Sequence, residues 1–174
     1  GRVQTLMSQM PYSGQISTYS ASNGITDSAA AGTCLATGHK TNNGTLGLNA
    51  QGDTIRSIAA ELKEQGWGVG IMTSVAIDHA TPGAFYAHVK DRDAYYQIGL
   101  QLSESGFDFF GGAGFHHPQG KNNDLRNLYH IAEEKGYRIA WGKEQAQDIL
   151  SYSDASDKML MVQQSDFPGD KHGD

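Results

Sequence analysis

Three times in this chain a stretch with helical apolar spacing runs into a glycine and then into a short β-rich run, and that order confines the fold more than any other feature. After Asp53, the residues Ile55, Ile58, Ala59 and Leu62 recur at helical spacing, and Gly66 precedes the run Trp67 to Val75. Arg92 to Ser105 leads through Gly106 into Phe107 to Phe110, and Asn123 to Lys135 leads through Gly136 into Tyr137 to Trp141. Glycine takes the left-handed conformation that ends a helix at little cost. Helices alternating with strands in this order build an α/β fold, a mostly parallel sheet flanked by helices. The three copies share no residue-level period, which excludes a solenoid. Two more strands are expected, at Lys158 to Gln163 and at Gln15 to Ser20, and the polar tail QSDFPGDKHGD carries no periodicity.

The chain has 174 residues, enough for one sizeable core, so residues 1–174 are expected to form one domain or part of one. It opens on a glycine and closes on turn-type residues, and both ends are expected to lie inside a larger protein. The formal net charge is -6 and the basic residues are scattered, which argues against a nucleic-acid partner. No apolar run reaches the roughly 18 residues of a membrane span. The single cysteine, Cys34, excludes a disulfide within the chain and a thiolate cluster, so any metal site must use oxygen and nitrogen.

The chemistry concentrates in ITDSAAAGTCLATGHKTNNG, Ile25 to Gly44. Asp27 and Ser28 precede Ala29, Ala30, Ala31 and Gly32, small residues that let a ligand approach the backbone at the start of a helix. Free N–H groups and the positive end of the helix dipole favour an anion there, and Ser28 would face a bound phosphate. Asp and Ser before an Ala-rich run also suit an ordinary N-cap, and the two roles are compatible.

Ile25 to Thr33 resembles throughout the nucleophile signature of the alkaline phosphatases: Ile or Val, any residue, Asp-Ser, four small residues, Thr. Ala36-Thr37-Gly38 and Lys40-Thr41-Asn42-Asn43-Gly44 continue the likeness, and Asp78 to Ala84, Ala87-His88-Val89 and Arg92 resemble that family's metal-and-phosphate segment. The likeness runs from about Ser17 through Val162. It implies an incomplete alkaline-phosphatase-like catalytic domain, with Zn²⁺ and Mg²⁺ as cofactors and small phosphate monoesters as substrates. By the resemblance, hydrolysis passes through a covalent phosphoserine at Ser28, which is also a zinc ligand. Arg92 is implied to clamp the phosphate, Asp27 to orient Arg92, and Thr81 to bind magnesium. His79 stands where some members have Asp and others His, and is expected to act through metal-bound water. A homodimer and a periplasmic or extracellular location are implied by the family only.

The family's GDGMG-like element is absent, as are the later Asp, His and Glu elements that complete its metal sites. The chain alone is therefore not expected to hold zinc tightly or to turn over esters. His88 reads as structural, inside a helical, Ala-rich segment. His116-His117 lacks a spacing that would converge both rings on one ion. The run Gly111 to Gly114 resembles a phosphate loop only superficially, without the Lys-Ser/Thr ending. Two alternatives stay open: a related phosphodiesterase, phosphonate hydrolase or cofactor-independent mutase, and a non-catalytic anion-binding α/β module.

Overall fold

The computed structural model describes residues 5–152 and 158–163. After a 3₁₀ turn at Met7–Gln9, helix α1 spans Ser28–Thr37 and α2 Ile58–Glu64, followed by strand β1, Gly70–Met72. Helices α3 (Ala80–Gly83) and α4 (Tyr95–Glu104) lead to β2 (Phe109–Gly112), and α5 (Leu128–Glu134) leads to β3 (Tyr137–Trp141). Helix α6 (Gly142–Tyr152) and β4 (Lys158–Val162) complete the described elements.

The strands form one parallel sheet in the order β1, β2, β4, β3, with Gly70 opposite Phe109, Phe109 opposite Met159 and Tyr137 opposite Lys158. Alternation along the strands divides their side chains between two cores. Phe110, Tyr137, Leu160 and Val162 pack into the larger one with residues of α1 to α5. Ala140 and Met159 pack with Ala146 of α6 in the smaller, joined by the partly buried Phe109 and Met161. The crossover from β2 to β3 skips one position and that from β3 to β4 steps back. A reversal of direction at constant handedness needs the opposite face of the sheet, which is where α6 lies.

Helices ending in glycine are as expected: Gly66, Gly106 and Gly136 all have positive φ, at 85°, 69° and 89°. The boundaries are tighter than the apolar spacing predicts. Helix α2 starts at Ile58 because Ser57 caps it, accepting from the Ala60 N–H, while the Ile55 N–H is spent on the Gly47 carbonyl. Helix α5 starts at Leu128 because Asn127 accepts from the Tyr129 N–H. Arg92 stands in the turn before α4, where Asp91 accepts from the Asp93 N–H.

Two expectations are corrected. Gln15 to Ser20 forms no strand among the described residues, and its Ser17 and Tyr19 carbonyls accept from Lys40 Nζ instead. His88 is not helical: helix α3 ends at Gly83, turns continue through Tyr86, and the chain then passes His88 to Val89, which bridges antiparallel to Leu46. Its polar contacts are structural, Nε2 lying 3.2 Å from the Ile55 carbonyl oxygen and the backbone N–H donating to Gln101 Oε1. Helix α6 was not anticipated, because of its residues only Ala146 is buried and its sequence is largely polar. The tail after Gln163 and the first four residues lie outside the described residues.

Candidate active site

The structure divides the cap from the serine. Asp27 is the N-cap of α1, and its Oδ1 accepts from the Ala30 N–H at 2.9 Å. Ser28 is then the first helical residue, exposed, with its hydroxyl in no hydrogen bond among the described residues. A capping oxygen on Asp27 satisfies one orphan donor and leaves the serine oxygen available.

The second carboxylate oxygen of Asp27 accepts from the Gly44 N–H at 3.0 Å and from Arg92 Nη1 at 3.2 Å. Asn43 closes the arrangement: its Oδ1 accepts from the Asp27 N–H, and its amide donates to the Ile25 carbonyl at 3.0 Å. Asn43 and Gly44, which end the run from Lys40, thus seat Asp27. Partial burial pushes the Asp27 carboxyl up. The Ala30 and Gly44 N–H groups and Arg92 outweigh that and leave it below 3.8. Arg92 pairs with Asp27 across 65 positions of sequence rather than with its neighbours Asp91 or Asp93.

Thr81 lies on α3, exposed, and lines a hollow of about 260 Å³ with Thr73 and Met72. Helix α3 lies against α1 through Gly32, where a Cβ would sit 3.1 Å from Ala84 Cβ and 3.5 Å from the Thr81 backbone. The glycine of the signature therefore serves close helix contact. No hydrogen bond links Thr81 to Ser28 among the described residues.

Two residues that spacing did not single out are joined here. Asp78 is wholly buried, and it accepts from the His116 N–H at 2.9 Å while His116 Nδ1 lies 3.1 Å from its other oxygen. That side-chain contact, opposed by partial burial, raises the His116 pKa above 6.5. His79, half-buried, caps α3 with its backbone, and its ring lies 6.3 Å from that of His116. Asp78 follows β1 and His116 follows β2, so both stand beyond the carboxyl ends of neighbouring strands. Open α/β sheets bind ligands there. The Asp78 to His79 stretch was visible as motif, but its burial and its partner 38 residues on were not.

The described residues contain no group of three His, Cys, Asp or Glu side chains able to hold a metal. Ser28 and Thr81 fit as single hard oxygen donors to a site completed by other residues, not as a site of their own.

Fold and geometry together define an α/β protein with an exposed serine at a helix start and an arginine paired with the aspartate before it. The sequence pattern of the family Alkaline phosphatase matches residues 1–167, and the chain belongs to that family. It is 47% identical over 74 residues to alkaline phosphatase 4 of Bacillus subtilis, a match covering 42% of this chain and 16% of that protein. Its structure is similar to that of alkaline phosphatase from the Antarctic bacterium TAB5, with a TM-score of 0.76 and 28% identity over 84% of this chain and 42% of that one. It is also similar to a histidine-to-aspartate mutant of the TAB5 enzyme with magnesium bound, with a TM-score of 0.73, 26% identity and coverage of 84% and 41%. The chain thus spans about two fifths of the solved relative's length.

Proposed function

We propose that the protein carrying this chain hydrolyses phosphate monoesters through a phosphoserine at Ser28, and that residues 1–174 form part of one catalytic domain. The observation that carries this reading is the Asp27 carboxylate, which caps the helix that starts at Ser28 and holds Arg92 at 3.2 Å. Ser28 Oγ, losing its proton, forms a bond to phosphorus as the ester oxygen leaves with the alcohol. Water then cleaves the phosphoserine, releasing inorganic phosphate and restoring the hydroxyl. The N–H groups at the start of α1 and the Arg92 guanidinium face the negative charge on the transferring group, where preorganised donors contribute most.

Zn²⁺ and Mg²⁺, when bound, supply charge that lowers the hydroxyl pKa and neutralises phosphoryl oxygens. Magnesium in the TAB5 mutant and the family pattern support that part of the reading, with Ser28 and Thr81 as the donors this chain would offer and His79 acting through bound water. Membership of the family likewise supports an extracytoplasmic location and a homodimer. Among the described residues no helix is long and apolar enough to cross a membrane.

The test is p-nitrophenyl phosphate hydrolysis by the full-length protein with added Zn²⁺ and Mg²⁺, beside its Ser28→Ala variant. Loss of more than roughly 10³-fold in the variant is expected of a nucleophile. Activity indifferent to Ser28, or turnover confined to diesters, overturns the reading.

A further inference from the structure

A carboxylate with no exposed surface needs bonded partners, and Asp78 takes two of them from one residue. The His116 ring held in this way lies nearly parallel to Tyr95, with centroids 4.3 Å apart and 14° between the planes. The His79 ring runs 28° from parallel at 6.3 Å. Three chain segments therefore meet on this one side chain: the turn after β1 that carries Asp78, His79 and Thr81, the loop after β2, and the start of α4 three residues beyond Arg92. The neighbouring Phe115 is the residue of this loop that serves the core, buried and packed on Tyr129. His116 is turned instead to the buried carboxylate while 26% of its side chain stays exposed.

The loops themselves are laced by backbone bonds, Ile77 N–H to Gly114 O and Ala113 N–H to Val75 O, both at 2.9 Å. Those bonds fix main chain to main chain, but none of them reaches α4. Side chains make that connection: Phe115 packs on α4 at Gly99, and His116 adds a contact through Tyr95 at the start of the helix.

We propose that His116 is a positioning residue for phosphoryl transfer: through its bond to Asp78 it holds in place the turn that carries His79 and Thr81. The proposal rests on the reading of the site given above. Two substitutions separate its parts. His116→Asn keeps a donor where Nδ1 stands and removes the ring, whereas His116→Phe keeps a ring against Tyr95 and leaves Asp78 only the backbone N–H.

Both variants are made in the full-length protein, and kcat and KM for p-nitrophenyl phosphate are measured at temperatures where thermal unfolding shows each fully folded. The dissociation constant for inorganic phosphate is measured by calorimetry on the same samples. His116→Phe is expected to lose about 10-fold or more in kcat and to bind phosphate more weakly by a similar factor, the scale of loss when reacting groups are misplaced. His116→Asn is expected to recover both to within about 3-fold of wild type. A purely structural histidine lowers the melting temperature and leaves kcat and phosphate affinity of the folded protein unchanged, and that result overturns the proposal. So does an Asn variant no better than Phe. If the wild-type protein hydrolyses no monoester, the reading of the reaction fails, and the phosphate affinities of the three proteins still decide the role of His116.

Discussion

Asp27 is the residue on which local structure and proposed chemistry coincide. Its two oxygens serve the Ala30 N–H, the Gly44 N–H and Arg92 at once, so substitutions separate by what they remove. Asp27→Ala should cost about 2 kcal/mol, from a lost helix cap and an orphaned N–H, read as a lower urea midpoint in the full-length protein. Asp27→Asn keeps a capping oxygen and loses the charge facing Arg92, and should cost less while weakening phosphate binding. The pH dependence has a definite sign. The folded carboxyl titrates below 3.8, so the unfolded chain binds the proton more readily. The stability it contributes is present above 3.8 and is lost as pH falls through the lower folded value. Wild-type stability should therefore drop as pH falls below 3.8 by an increment that Asp27→Asn lacks, and equal slopes would refute the assignment. The motif named Asp27, Ser28 and Arg92 in one dimension. What it could not say was which of the adjacent pair would cap the helix, since Asp and Ser are both good caps and only the folded backbone chooses.

At the scale of elements, glycines decide where backbones can touch. Gly47 has φ 61°, and a Cβ there would fall on the carbonyl oxygen of Ala87 and 2.8 Å from His88 Cδ2. Its neighbour Leu46 bridges to Val89, so this contact joins the segment after α1 to the one after α3. Gly47→Ala combines a strained φ with a backbone clash that no rotamer relieves, and should destabilise by about 3 kcal/mol in thermal or urea unfolding. Gly66→Ala shares the positive φ but meets nothing within 4 Å, so it should cost only about 1 kcal/mol. If the two cost the same, close approach is not what Gly47 provides. These elements were legible where apolar period and glycine punctuation agreed, as at Gly66, Gly106 and Gly136. They were illegible where a side chain intervened: Ser57 and Asn127 set helix starts that the apolar spacing placed earlier. Helix α6 hides for the opposite reason, since a helix that buries one alanine has too little apolar stripe to read.

For the whole molecule the decisive fact is what four parallel strands bring to one end of the sheet. The loops after β1 and β2 carry Asp78, His79, Thr81 and His116, and α1 and the turn before α4 add Ser28, Asp27 and Arg92. Among them are the residues proposed to hold a phosphate, but a tight zinc site needs three or four His, Cys, Asp or Glu donors, and the described residues group none. Neutral hydroxyls such as those of Ser28 and Thr81 bind Zn²⁺ weakly unless stronger donors already hold the ion. Because the chain spans 42% of the TAB5 chain, the remaining donors of the proposed site are ascribed to length that relatives have and these residues do not supply. Two proteins then behave differently. The isolated 174-residue chain should bind Zn²⁺ more weakly than about 1 µM, or less than about 8 kcal/mol, by calorimetry at neutral pH, and should not turn over p-nitrophenyl phosphate. The full-length protein should lose its activity on dialysis against a chelator and regain it with Zn²⁺ and Mg²⁺ together. Tight zinc binding by the isolated chain would show that its own 174 residues assemble a site, and would overturn this division of the donors. Activity that survives exhaustive chelation would instead remove the metals from the proposal, and leave Ser28, Arg92 and the helix end to account for the catalysis unaided.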